Sequence, residues 1–493
     1  PKLNNKNVII INSFSIDYWI KFESLIANDL IKKGFHVILI TRKSNSSKYL
    51  KYNFKSNQIS IIFLDRFVSL FYPFKLFDIN NISALKSFTH DGADIGKLVI
   101  SSIKNIVLKK NVSFNLKQKI RINLLVNLSL KYFYSYKKII NKYNPKLIIA
   151  TEKGDIGSGE LFDIAIKNSI DFVQWSSCHQ PQSIILKRYN KFNKGVHPFS
   201  VSKKSLSTFD FSKIDLDKEI LKFFEDGYVK GDWFSYKKLL DSKIIYTRKQ
   251  FCNEFNLNIS KKNIVIFSHV LNDANLFYGK DIFEGGFAEW LIETIKYIIK
   301  IDKVNWIIKM HPANIYRNKN LGISDNNLEV KLLLKEIGYI PKNILFIPPD
   351  SNINPYSFFN IADIGITVRG TIGAEMPCFG IPIITAGTGR YSDLGFTVDP
   401  KSKDEYFKIL KNILRLNRLE ESKINKARKH AYLFFKSRVF EYMSIFRDNL
   451  AVSSLADNKI DVIDKDYSNS DIFKSLINFL IDSKDEDYLN TKL

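Results

Sequence analysis

The sequence predicts an α/β protein built on two open, mostly parallel sheets. Three observations predict it. Short apolar runs rich in Ile and Val recur along the chain, each closes in a polar turn, and segments of helical spacing follow them. The chain has 493 residues, too many for one core, and 45% of them are hydrophobic, enough to fill two. The strand–turn–helix grammar restarts near residue 263, so the expected halves are 1–258 and 259–427.

In the first half, Val8-Ile9-Ile10-Ile11 is a buried strand. Residues 17–33 place Trp19, Phe22, Ile26 and Leu30 at helical spacing, and Gly34 stands where a helix stops. Strands are expected at 36–41 and 59–65. No Gly-x-Gly-x-x-Gly follows the first strand, so this half announces no dinucleotide site of its own. Residues 66–142 are aromatic and basic, with helical stretches at 81–89, 97–107 and 116–143. Phe71, Tyr72, Phe74 and Phe77 either line a groove or pack in a core. A strand at 145–151 ends in Glu152-Lys153-Gly154-Asp155, a helix begins near Glu160, and 172–175 is the next strand, leading to His179. Chemistry is expected at such strand ends. Glu160 also reads as a first-turn acid that complements its helix dipole. His197-Pro198 lacks a strand before it and reads as loop. Residues 200–262 read as helical connections, with the interdomain link near 257–262.

In the second half, strands are expected at 263–267, 304–310, 343–347, 364–368 and 381–385, with helices at 287–301 and 355–362. Two turns stand out, Lys309-Met310-His311-Pro312 and Arg369-Gly370-Thr371-Ile372-Gly373-Ala374-Glu375. Both fall at the carboxyl ends of strands, where an open α/β sheet binds its ligand. The imidazole of His311 can donate to an anion, and Pro312 holds the turn out of the helical region. Arg369 matches a phosphate bidentately, or makes a salt bridge at a helix start. The backbone of Gly370 to Gly373 and a fresh helix N-terminus favour an anion. Glu375 lies one turn into that helix, where it can simply complement the dipole. The glycines of 386–392 allow close backbone approach, and Arg390 offers a second positive contact to a phosphate or a sugar carboxylate. Residues 277–284 form a polar-aromatic loop placed to cover a cleft.

These residues carry a resemblance. The Lys-x-His-Pro turn, the Gly/Thr-rich turn into a helix with an early Glu, and Gly380-Ile381-Pro382 at a strand start resemble the C-terminal half of GT-B glycosyltransferases. The group most resembled is that of bacterial capsule and lipopolysaccharide synthesis, with its Kdo and sialic-acid transferases. The resemblance spans residues 263–400 and reaches the first half in outline. It implies a GT-B-like α/β fold: two Rossmann-like domains facing a central cleft, with a C-terminal helix, 428–455, crossing back to the first. It implies a nucleotide-sugar donor, CMP-Kdo or a related acidic sugar, held by Lys309, His311, Pro312, Arg369, Gly370, Thr371, Gly373, Glu375, Asp273 and Arg390. In that setting Glu375 would meet the ribose hydroxyls. The acceptor would be a glycan or glycolipid of a surface polysaccharide, bound by the first half. Its hydroxyl needs a general base, for which the candidates are Glu152, Asp155, Glu160, His179 and His269. No Asp-x-Asp stands at a strand end, so neither a metal nor a cofactor is expected. The alternatives are a sugar-nucleotide 2-epimerase or a polyol-phosphate transferase on the same fold, or a non-catalytic basic binding protein.

The formal charge is +24. The basic residues are dispersed through helices and not gathered into an arm, so a nucleic-acid partner is not expected. A basic surface suits an anionic glycan, or peripheral contact with the inner face of an anionic membrane. No apolar run reaches the ~18 residues of a membrane span. Residues 1–7 are polar, and Cys178, Cys252 and Cys378 are too widely spaced for a disulfide framework or a zinc site. A cytoplasmic protein is the expectation. Residues 404–416 and 419–437 have amphipathic spacing. The tail 456–493 carries nine acids against five lysines, which predicts a separate acidic appendage, with 472–481 as an amphipathic helix that docks or binds a partner.

Overall fold

The computed structural model describes residues 8–13, 17–42, 59–64, 73–103, 113–180, 183–230, 243–270, 276–312, 335–339, 341–441 and 467–490. The first half forms a sheet from β1 (Val8–Asn12), β2 (His36–Thr41), β3 (Ile59–Phe63), β4 (Leu147–Ala150), β5 (Asp171–Ser177) and β6 (Ser183–Tyr189). The order β6-β5-β4-β1-β2-β3 is parallel throughout, except that β6 runs antiparallel to β5. β1 is apolar at every position but its last because both faces of a parallel sheet are covered. Alternate residues part to opposite sides. Val8 and Ile10 enter a core shared with helix Leu116–Tyr143 and helix Gly159–Lys167. Ile9 and Ile11 enter another, under helix Asp17–Lys32.

The second half is fully parallel: β7 (Asn263–Phe267), β8 (Asn305–Lys309), β9 (Ile344–Ile347), β10 (Ile364–Thr367) and β11 (Ile383–Thr385), in the order β11-β10-β7-β8-β9. Helices Gly286–Ile298 and Lys403–Lys411 cover one face, and helix Ser357–Ile361 lies over the other. Two Rossmann-like α/β units, each with strands ending in polar turns, give the GT-B-like architecture.

The domain boundaries differ from the expected ones. Helix Arg248–Glu254 belongs to the second core, where Phe251 packs beside Val265 and Ile307, and Arg248 pairs with Asp363 at 2.6 Å. Ile244 already hydrogen-bonds to Asn352, so the change of core comes before 244 and not at 258. Amphipathic spacing shows that a helix has an apolar face but not which core receives it. The return to the first domain also starts earlier than 428. Helix Glu421–Tyr432 continues as a π-turn, Leu433–Ser437, and β12 (Phe440–Glu441) then adds antiparallel to β6. Residues 442–455 of the expected crossing helix lie outside the described residues.

The described part of the tail, 467–490, is not an appendage. Helix Asp471–Ile481 buries Phe473, Leu476, Ile477 and Leu480 among Ile9, Leu25 and Trp175 of the first core. Asp487, fully buried, accepts from Lys187 at 2.9 Å, the Ser202 amide at 2.7 Å and the Ser205 hydroxyl at 2.8 Å, with the Arg438 guanidinium at 3.2 Å. Burial disfavours its charge, yet Arg438 and Lys187 hold the carboxyl well below the usual carboxylate range. Asp487 of the tail thus answers two buried cations. No helix among the described residues is long and apolar enough to cross a membrane.

Candidate active site

The polar turns of both sheets meet between the domains. The loop expected to cover the cleft is the joint. It is tied to the second domain: Thr388 N–H donates to the Lys280 carbonyl at 2.8 Å, and Lys280 N–H to Thr388 Oγ1 at 2.6 Å. Gly279 makes this possible. Its φ is +125°, and a Cβ there would lie 2.2 Å from the Thr388 carbonyl oxygen. One residue back, Tyr278 turns to the first domain and donates its hydroxyl to Glu152 Oε1.

Arg369 is the clamp of this loop. Its guanidinium donates to Asp281 Oδ1 and, at 3.1 Å, to the Tyr278 carbonyl, and it lies 5.7 Å from the Phe287 ring. With only 3% of its surface exposed, it takes the salt-bridge alternative to phosphate binding. The helix after it is short: Ile372–Glu375 is one turn, followed by a 3-10 turn, Met376–Phe379. The dipole of so short a helix adds little. Glu375 is fully buried and accepts the Tyr228 hydroxyl at 2.6 Å, with Thr371 also bonding to it. Burial raises its pKa, and it faces the protein interior, not a ribose. Gly373 is required by packing, since a Cβ there would sit 2.0 Å from the Tyr391 hydroxyl, which donates to the Gly370 carbonyl at 2.7 Å.

His269 lies under this turn. Its Nε2 accepts from the amides of Val368 at 3.2 Å and Arg369 at 3.3 Å, and meets the Thr367 hydroxyl at 3.1 Å. Its ring stacks on Phe287 with centroids 4.2 Å apart. Burial, then His311, Arg369 and Arg390, hold it well below the ordinary imidazole range. The neutral ring therefore carries its proton on Nδ1 and acts as a donor, not as a base. His311, half-buried, donates its amide to Ser268 at 3.0 Å, while Pro312 is exposed. Lys309 turns away, donating to the carbonyls of Met310 at 3.1 Å and Pro348 at 3.5 Å. Asp273 lies outside the described residues.

From the first domain, Glu160 and His179 are buried and Asp155 is exposed. Glu160 is buried between the Ser129 hydroxyl and the Gly157 amide, 2.7 Å away, and burial raises it to about 7. His179 sits among Phe199, Phe434 and Phe435, and burial followed by Arg390 lowers it to about 3. Asp155 is exposed and uses its carbonyl to start helix Gly159–Lys167. Glu152 is different. Its Oε1 takes three donors: Tyr278, the Lys153 amide at 2.7 Å and the Gly154 amide at 2.9 Å. Among the described residues, no hydrogen bond engages its Oε2.

Two groups were not singled out from the sequence. His197 is buried, its Nδ1 accepts the Phe199 amide at 3.0 Å, and its ring lies 4.9 Å from that of Tyr278. Burial, Arg390, Arg369 and Lys153 hold it neutral, which leaves a proton on Nε2. Its His-Pro sequence was a signal, but the missing strand hid it. Lys153 is 1% exposed, donates to the Lys194 carbonyl at 2.6 Å, and sits 3.8 Å from the Tyr189 ring. Burial lowers it to about 7. Arg390 stands between the domains, 5.2 Å from the Phe199 ring. No cluster of three or more His, Cys, Asp or Glu is placed to hold a metal among the described residues.

No family model matches the chain, and no curated protein matches it. Among solved structures it is similar to a Thermosulfurimonas dismutans KpsC, a beta Kdo 2,4 transferase, at 12% identity over 59% of this chain and 80% of that one, with a TM-score of 0.38. It is also similar to the UDP-GlcNAc 2-epimerase of Methanocaldococcus jannaschii, at 13% identity over 86% and 97%, TM-score 0.29. Sucrose-phosphate synthase of Thermosynechococcus elongatus gives 14% over 87% and 95%, TM-score 0.29. Likenesses at this level carry no functional weight.

Proposed function

We propose that the protein is a glycosyltransferase that takes a sugar from a nucleotide-sugar donor and passes it to a hydroxyl of a surface-polysaccharide acceptor. One observation carries this reading. The His197 ring of the first domain lies 4.9 Å from that of Tyr278, whose carbonyl accepts from the Arg369 guanidinium at 3.1 Å, while the Arg369 amide donates to His269 at 3.3 Å and Arg390 lies 5.2 Å from the Phe199 ring. The cleft thus gathers cationic and hydrogen-bond-donating side chains from both domains, and an anion is their natural counterpart. Arg390, which stands between the domains 5.2 Å from the Phe199 ring, is the charge that meets the leaving phosphate. Nδ1–H of His269 and Nε2–H of His197 supply neutral donors around it, and the His311 ring adds a further donor. Fixed donors aimed at developing charge stabilise a leaving phosphate without proton transfer. An acidic sugar of the Kdo type, with a carboxylate beside its phosphate, matches this excess best. Opposite, Glu152 keeps Oε2 for the acceptor hydroxyl while Tyr278 and two amides hold Oε1. It acts as the general base, taking the hydroxyl proton as the oxygen attacks the anomeric carbon and the phosphate leaves.

The test is a panel of CMP-, UDP- and GDP-sugars with lipid-linked glycan acceptors. Nucleotide release that requires acceptor is expected, lowered ~100-fold or more in Glu152→Gln. Donor binding, read as a thermal shift, should survive Glu152→Gln and vanish in Arg390→Ala. Conversion of a nucleotide sugar without acceptor would replace transfer with epimerisation, and a Glu152→Gln enzyme as fast as wild type would remove Glu152 from the chemistry.

A further inference from the structure

Helix Leu116–Tyr143 leaves four aliphatic side chains in solvent at every fourth position: Leu116 (75% exposed), Ile120 (55%), Leu124 (56%) and Leu128 (37%). Spacing of four stacks side chains along one helix face. Residues 73–80 run beside this helix, held by Asn123 and Asn127, whose side-chain oxygens accept the amides of Phe77 at 2.7 Å and Lys75 at 2.9 Å. That segment adds Phe74 and Leu76, also exposed. These six make up half of the twelve large hydrophobic side chains exposed among the described residues, gathered on one surface. Such a gathering marks an interaction site.

Charge decides the partner. The helix carries Lys117, Lys119, Arg121, Lys131, Lys137, Lys138 and Lys142 and no acid, and across both segments the only carboxylate is Asp78. Lys117 and Arg121 fall on the same side of the helix as the aliphatic stripe, and both are exposed. Two copies of this face would bring like charges together. An aliphatic stripe set among basic side chains is the chemistry of an interfacial helix. We propose that this face docks the protein on a lipid bilayer carrying anionic headgroups, with the aliphatic row in the headgroup boundary and the basic side chains on the phosphates.

The position of the stripe gives the docking a use. The helix runs antiparallel to β4, which follows it after the turn at Asn144. Tyr136 already reaches Gly157, beyond the carboxyl end of β4. Leu128 to Leu116 therefore project ~12 to 30 Å further along the axis, at about 1.5 Å per residue. They stand past the edge of the sheet that faces the cleft. A bilayer there would lie beside the cleft mouth, whichever reaction the cleft performs.

Purified full-length protein would be co-sedimented with vesicles of phosphatidylcholine alone and with roughly a third phosphatidylglycerol. Binding is expected only to the second, weakening as salt rises. Ile120→Asp with Leu124→Asp, and separately Lys117→Glu with Arg121→Glu, should each lower it by about tenfold or more, with unchanged melting temperatures because all four side chains are exposed. Three results would overturn the proposal: no binding to anionic vesicles, binding that both variants retain, or self-association in sedimentation velocity that the aspartates abolish. The last would assign the stripe to a second copy of the chain.

Discussion

Replacing Asp487 with Asn tests how the first domain is closed. The carboxylate lies 2.9 Å from Lys187 Nζ and 3.2 Å from Arg438 Nη2, and the side chains of all three are 0% exposed. At an effective dielectric of ~20, each attraction is roughly 5 kcal/mol before desolvation is subtracted. Asn keeps the shape and removes the charge, leaving two cations buried, and loss of one partner from such a site costs about 3–5 kcal/mol. For a domain of this size that corresponds to a melting point lower by roughly 6–20 °C. Asp485→Asn is the control. Its 2.7 Å pair with Lys204 is as close, but both side chains are more than half exposed, so no measurable change is expected. Thermal melts by circular dichroism at neutral pH would check both. Equal melting points for wild type and Asp487→Asn, or equal losses in the two variants, would refute the view that burial rather than distance sets the value of these pairs.

Three further outcomes are expected. Lys153, lowered to about 7 by burial, has an ordinary value of 10.5, so between those values the unfolded chain binds the extra proton and stability rises with pH. Urea midpoints at several pH values should show a contribution of up to ~1.4 kcal/mol per pH unit in wild type that is absent in Lys153→Met. Gly373→Ala forces its Cβ onto Tyr391, beside Arg390, and should abolish the nucleotide-dependent thermal shift while the protein still folds. Asp281→Asn removes the carboxylate that clamps Arg369; limited proteolysis should then cut the 277–284 loop faster than in wild type, and an unchanged rate would show that the backbone pairing with 387–388 holds it alone.

The framework was legible because buried parallel strands have a strong local signature. Ile9 to Ile11, Ile264 to Ile266 and Ile307 to Ile308 announce themselves without reference to anything distant. The turns at His311 and Arg369 were legible for the same reason, since each such strand must end in something polar. Which way each polar group points was not legible, because its partner lies far away in the chain. Arg369 is answered by Asp281, 88 residues earlier, and Glu375 by Tyr228, 147 residues earlier. Lys187 and Arg188 are adjacent basic residues in the sequence. They form the buried end of β6, neutralised by Asp487 and by Asp171 with the Phe479 carbonyl. Net charge counted along the sequence could not separate such cations from solvated ones.

The capture of helix Asp471–Ile481 and β12 by the first domain bears on how the chain is made. A ribosome delivers β1 to β6 hundreds of residues before the pieces that finish them. Until then β6 has an open hydrogen-bonding edge, and the face that will receive Phe473 and Leu476 is uncovered. The second domain waits for much less, since the buried residues of its two sheet-face cores fall between Phe251 and Ile413. The domain translated first is therefore completed last, and the nascent chain must keep an unfinished sheet from pairing with its neighbours on the polysome.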